Sequence, residues 1–128
     1  MATMEMDMSV NVFGERLESC GENPMTGFFR DGKCNTCRED GGSHTVCIEA
    51  TADFLNYSRA KGNDLSTPAP QFNFKGLKPG DTWCLCAARW LEAWRDKQAP
   101  RVYLRRTHAK ALKIVPLEVL RTYALDLN

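Results

Sequence analysis

Ala87, Trp90, Leu91 and Trp94 recur at i, i+3, i+4 and i+7, a stripe that predicts an amphipathic helix over residues 87–97. Just before it, Thr82 to Cys86 reads as a strand. Pro79-Gly80 in front of that strand suits a type II turn, with Pro at the first central position and Gly at the second. Ser43 to Ile48 is a second strand, rich in β-branched residues. Thr51 then supplies an N-cap for a helix with Asp53 in its first turn, Phe54, Leu55 and Ser58 on one face, and Gly62 as its stop. Ala99-Pro100 ends the 87–97 helix. Beyond it come a short strand at Val102 to Leu104 and a helix capped by Thr107, carrying Ala111 and Leu112 and ended by Pro116. Leu117, Leu120 and Ala124 support a last helix.

The remaining segments lack periodicity. Val10 to Phe13 is a short strand ended by Gly14, and residues 1–9 form a flexible tail. The regularly spaced Met1, Met4, Met6 and Met8 belong to that tail rather than to a metal-binding string. From Leu17 to Gly42 the chain is rich in Gly, Asn, Pro and Asp, and loops of that length persist when they carry function or are tied down. Residues 63–74 form a second loop whose Asn, Asp, Ser and Thr side chains suit self-capping turns and whose prolines restrict it. The expected architecture is α+β: a single compact domain over residues 10–128, with a small sheet covered by about four helices and long ordered loops.

Composition changes this picture in two respects. A chain of 128 residues buries roughly two-thirds of its unfolded surface, enough for a core that needs neither metal nor disulfide. No apolar run approaches the roughly 18 residues of a membrane helix, so no membrane partner is expected. Acidic residues at Glu5 and Asp7 stand where a signal peptide would be basic and then apolar. The expected address is cytoplasmic, and the six cysteines are then expected as thiols rather than three disulfides. Charge is unevenly placed. Residues 1–86 carry eight basic and twelve acidic residues, residues 87–128 nine and four. Arg101, Arg105, Arg106, His108, Lys110 and Lys113 supply most of the basic cluster. Solvated helix faces answering an acidic half explain it better than nucleic acid does, since the overall pI is only about 7.6. His108, directly after its cap, is expected at the surface, Trp90 and Trp94 in the core, and Arg89 in a salt bridge with Glu92.

Cysteine carries the candidate chemistry. Cys34-Asn-Thr-Cys37 has the two-residue spacing with which two sulfurs grip one ion, and Cys84-Leu-Cys86 on a strand turns both sulfurs to one face. Four thiolates from two such pairs suit tetrahedral zinc, although the second pair has one intervening residue rather than two. Cys20, His44 and Cys47 are reserve ligands. Cys86 also lies at the start of a helix, where unpaired N–H groups favour a thiolate. A nucleophilic Cys86 needs a base, for which His44 and His108 are available, and a carboxylate to orient it, for which Asp64 or Asp81 is available. Against both stands burial, because free cysteine packs as a small hydrophobe.

Several long motifs carry a resemblance. They are Asn11-Val-Phe-Gly14, Asn23-Pro-Met-Thr-Gly-Phe-Phe-Arg-Asp-Gly32, Gly42-Ser-His-Thr-Val-Cys47, Arg59-Ala-Lys-Gly-Asn-Asp-Leu-Ser-Thr-Pro68 and Gly76-Leu-Lys-Pro-Gly-Asp-Thr-Trp-Cys-Leu-Cys-Ala-Ala-Arg-Trp90. Through them nearly the whole chain beyond the tail resembles the family catalogued as domain of unknown function 2237. The resemblance implies a small, soluble, stand-alone protein and brings no activity or catalytic residue with it. The family pattern has Gly where this chain has Cys37, which weakens the four-thiolate set. Attention shifts to Cys20, Cys34, His44, Cys47, Cys84 and Cys86.

Two expectations follow. In one, the 20–47 and 63–86 loops build a Cys/His site at the start of the 87–97 helix. That site is either catalytic, with Cys86, His44 and Asp64, or zinc-binding, with Cys20, Cys34, Cys84 and Cys86. In the other, the domain is a non-catalytic module that binds a small ligand or protein, and its cysteines are structural.

Overall fold

The structure, a computed structural model, describes residues 5–127. Its elements follow the order β1 (His44–Glu49), α1 (Ala52–Ala60), β2 (Thr82–Cys86), α2 (Ala87–Arg95), β3 (Arg101–Val102) and α3 (Leu117–Arg121). Three 3₁₀ turns complete it, at Pro70–Phe72, Leu104–Arg106 and Ala109–Lys113. The α+β class is as expected, with one three-stranded antiparallel sheet in the order β2-β1-β3. The cover is three α-helices among the described residues rather than about four. The helix expected after Thr107 winds as the 3₁₀ turn Ala109–Lys113, capped by His108. The segment closes on i→i+3 hydrogen bonds, from the Ala111 N–H to the His108 carbonyl and from the Ile114 N–H to the Ala111 carbonyl, each at 3.0 Å, before Pro116 stops it. No helix among the described residues is long and apolar enough to cross a membrane.

Local signals placed the central elements. The Thr51 hydroxyl accepts the Phe54 N–H and starts α1, and Gly80, at φ 95°, makes the turn into β2. The Trp90 face of α2 is wholly buried, and its indole N–H donates to the Pro100 carbonyl at 3.1 Å. Trp94, expected beside it in the core, is 37% exposed: it shares the stripe of Ala87 and Trp90 but falls in the last turn of the nine-residue helix. The expected strand at Val10 to Phe13 is reduced to single bridges from Val10 to Arg16 and from Asn11 to His108.

Alternation along β1 and β2 sorts their side chains into two cores. Val46, Ile48, Trp83 and Leu85 join Phe54, Leu55, Trp90, Leu104 and Leu120 beneath the helices. Cys47 and Cys84, one residue out of phase, meet Cys20 and Cys34 on the opposite face. Both faces of β1 are therefore buried, which is why its central four residues are all inaccessible.

The second core is covalent. Cys20 pairs with Cys47 and Cys34 with Cys84, so four of the six cysteines expected as thiols are disulfides. These bonds tie the long 17–42 loop to the sheet. With sequence separations of 27 and 50 residues, each stabilises by about 3–4 kcal/mol in the chain-entropy picture. Cys37 and Cys86 remain free, Cys37 buried and Cys86 half-buried.

Residues 5–9 lie along the body. The Asp7 N–H donates to the Thr36 carbonyl at 2.8 Å, and its carboxylate meets Lys110 at 2.8 Å. Met1 and Met4 lie outside the described residues. The same segment covers His108, which is 4% exposed rather than at the surface. Its Nδ1 accepts the Lys110 N–H at 3.0 Å, so its Nε2 is the protonated nitrogen and donates to the Met8 carbonyl at 2.8 Å. Burial holds its pKa below the ordinary imidazole value.

Candidate functional site

The sheet ends where β1 begins and β2 stops, and that end brings His44 opposite Cys86 as cross-strand partners. Ladder register is irregular between His44 and Val46. The Ala87 N–H donates to the Ser43 carbonyl at 2.9 Å, which locks the start of α2 to the entry of β1. Cys86 is the N-cap of α2. No side chain caps that helix.

His44 is held from three sides. Its Nδ1 lies 2.7 Å from Oδ1 of Asp40, a carboxylate side chain with no exposure. Asp40 reaches this position through the tight turn at Gly41-Gly42. Its Oδ2 accepts the Thr36 hydroxyl and the His44 backbone N–H, both at 2.9 Å. A carboxylate so engaged is an acceptor. His44 therefore donates from Nδ1, so its lone pair, when the ring carries one, is at Nε2. Phe28 stacks on the imidazole, with centroids 6.3 Å apart and planes 25° apart. Gly42 lies against the third side, where a Cβ would come within 2.7 Å of His44 Cε1.

Cys86 and His44 both line a cleft of about 560 Å³. Phe28, Leu65, Phe72 and Trp83 give it apolar walls, and Arg30 and Arg89 give it charge. Arg89 pairs with Glu92 at 3.5 Å, as expected from the sequence. Cys84 also reaches the cleft wall while bonded to Cys34.

The expected site residues are thus partly assembled. Cys86 and His44 meet at one cleft. Asp64 stands elsewhere, closing its own turn by accepting the Thr67 hydroxyl and the backbone N–H groups of Ser66 and Thr67. Those hydrogen bonds, the Thr67 hydroxyl foremost, lower its pKa. The carboxylate that orients the imidazole is Asp40, which sequence reasoning passed over. Its signal was a Gly-Gly turn returning an acid to a histidine four residues later. Of the expected zinc ligands, Cys20, Cys34 and Cys84 are in disulfides, while Cys86 lines the cleft. The Sγ atoms of Cys20, Cys34 and Cys47 lie within 4.8 Å of one another.

The basic cluster of the C-terminal third is largely engaged internally. Lys110 pairs with Asp7, and Arg105 donates to the Asp126 carbonyl. Arg106 lies 4.1 Å above the Tyr103 ring and Arg101 5.7 Å above Tyr123.

Fold and cleft together define a small α+β domain with a half-buried thiol at a strand-to-helix junction. Residues 10–124 match the family described as an uncharacterized protein conserved in bacteria (DUF2237), and the chain belongs to that family. None of the curated proteins compared matches the chain.

Proposed function

We propose that the cleft is a thiol-based reaction site. In this reading Cys86 is the nucleophile, His44 the base that takes its proton at Nε2, and Asp40 the residue that positions the imidazole. One observation carries it. The cleft brings together a free cysteine and a histidine whose other nitrogen is already committed to a buried carboxylate. The chemistry this set supports is attack on an electrophilic carbon. A carbon–sulfur bond forms, the bond to the leaving group breaks, and the imidazolium returns its proton to the departing group. A cytoplasmic setting would suit the free thiol. The two disulfides resist reduction there in so far as their sulfurs, all at most 2% exposed, are shielded from attack.

A second reading keeps zinc. If both disulfides are reduced, Cys20, Cys34, Cys47 and Cys84 become four neighbouring buried thiols. Three of their sulfurs are close enough to share one ion with little backbone change. In a third, the domain binds a ligand without reacting with it, and the four paired cysteines are staples.

Counting the thiols that react under native conditions, with zinc analysis of tag-free protein before and after reduction, separates the three. One fast thiol at Cys86 and no metal supports the thiol site. One zinc per chain in reduced protein supports the metal site. Inert thiols and no zinc in either state leave the binding module.

A further inference from the structure

The charge of the cleft is one-sided. Among its lining residues are two arginines and no aspartate or glutamate. Arg30 stands in a left-handed backbone conformation, at φ 54°. Its Nη1 donates to the Gly27 carbonyl at 2.7 Å, and its guanidinium lies 5.1 Å over the Trp83 ring. No carboxylate pairs with it among the described residues, although the side chain is fixed at both its backbone and its head. Arg89 approaches from α2, one turn beyond Cys86, where its Nη1 donates to the Lys61 carbonyl at 3.2 Å. Its single acidic partner, Glu92, is at 3.5 Å and half exposed, so its charge is only partly answered. Planar guanidinium groups are suited to the two oxygens of a carboxylate or phosphate. Around them Phe28, Phe72 and Trp83 offer flat apolar walls within about 560 Å³, room for a small organic molecule.

Resting on the thiol reading above, we infer that the substrate of this cleft is a small anionic electrophile. It would carry a carboxylate or phosphate that Arg30 and Arg89 clamp, an apolar body between the aromatic walls, and its reactive carbon at Cys86. The arginines select the charge, and the thiol performs the reaction.

The test compares iodoacetate with iodoacetamide. The two reagents share size and leaving group and differ in a carboxylate against a carboxamide. With each, the Cys86 sulfur–carbon bond forms, the carbon–iodine bond breaks, iodide leaves, and the thiol proton passes to His44 or solvent. Rates are read at Cys86 by peptide mass spectrometry, and the ratio is normalised to that of an unstructured Cys86 peptide. The cleft is expected to favour iodoacetate by about tenfold, the lower end of what a charged cleft does to local anion concentration. Arg30→Gln and Arg89→Gln are each expected to lower the iodoacetate rate more than the iodoacetamide rate, and so to remove most of that preference. The preference is also expected to shrink as salt rises. Protection from iodoacetamide by inorganic phosphate but not acetate assigns the site to phosphate, and the converse assigns it to carboxylate.

Fast iodoacetamide labelling without a preference for iodoacetate overturns this inference and leaves the thiol reading standing. A preference that survives both arginine substitutions overturns it as well. If neither reagent outpaces the peptide, the thiol reading fails. The arginine clamp is then decided on Cys86→Ser protein by whether inorganic phosphate raises Tm, and whether Arg30→Gln abolishes that rise.

Discussion

Asp40 Oδ1 lies 2.7 Å from His44 Nδ1, and both residues sit at the end of the sheet where His44 faces Cys86 across the ladder. The carboxylate is buried and the imidazole is partly open, with side-chain exposures of 0% and 42%. This polarity is what a positioned base requires. One nitrogen is fixed from inside the protein by Asp40, and the residue itself lines the cleft.

Asp40→Asn and Asp64→Asn should therefore behave differently. Asparagine at position 40 replaces a charged acceptor by an amide that can no longer hold the ring, the Thr36 hydroxyl and the backbone N–H together. A loss of about 1–3 kcal/mol is expected from a buried network left incomplete. Cys86 reactivity should fall with it. Asparagine at position 64 disturbs its exposed turn and its 3.8 Å ion pair with Arg59, and should leave Cys86 reactivity unchanged. Thermal unfolding and thiol alkylation of both variants read the contrast directly.

Gly42→Ala places a methyl group 2.7 Å from His44 Cε1, closer than carbon atoms pack. The ring must swing or the turn must shift. Cys86 alkylation is expected to slow, with a destabilisation of about 1–3 kcal/mol from overpacking. An imidazole NMR spectrum unchanged from wild type would count against this close approach.

Replacing both Cys20 and Cys47 by serine should cost about 3–4 kcal/mol, since the bond closes a 27-residue separation across the long loop. Denaturant unfolding measures this. The iodoacetamide rate at Cys86 serves as a control that the cleft survives, because neither residue lines it.

How far the sequence reveals this protein differs from element to element. Thr82–Cys86 and α2 were legible because a Pro-Gly turn and a 3.6-residue apolar stripe are local signals, and so was the Thr51 cap. Cysteine pairing was not. It depends on how the 17–42 loop lies over the outer face of the sheet, a long-range event that spacing does not record. Asp40 escaped notice for a related reason, since only the folded turn aims it at His44. His108 looked like a surface residue just past the Thr107 cap, and what buries it is the segment around Met8, a hundred residues earlier.

That buried histidine gives a pH dependence. Desolvation lowers the His108 pKa in the folded protein, so between the folded and unfolded values the unfolded chain binds more protons. Its contribution to stability is fully present above the unfolded value of about 6.5 and is lost as pH falls through the folded value. Tm measured from pH 7.5 down to 5 should decline less steeply in His108→Gln than in wild type. Parallel curves would remove His108 as the cause.

The central claim is that His44, held by Asp40, activates Cys86. The most direct measurement is the second-order rate of iodoacetamide addition at Cys86 near pH 7 in wild type, His44→Gln and Asp40→Asn, each compared with the unfolded chain. An ordinary thiol is only a few per cent thiolate at that pH, which leaves room for an increase of roughly tenfold or more. The account predicts such an increase in wild type, its loss in both variants, and no reaction at buried Cys37. Equal rates in wild type, both variants and the unfolded chain would contradict it.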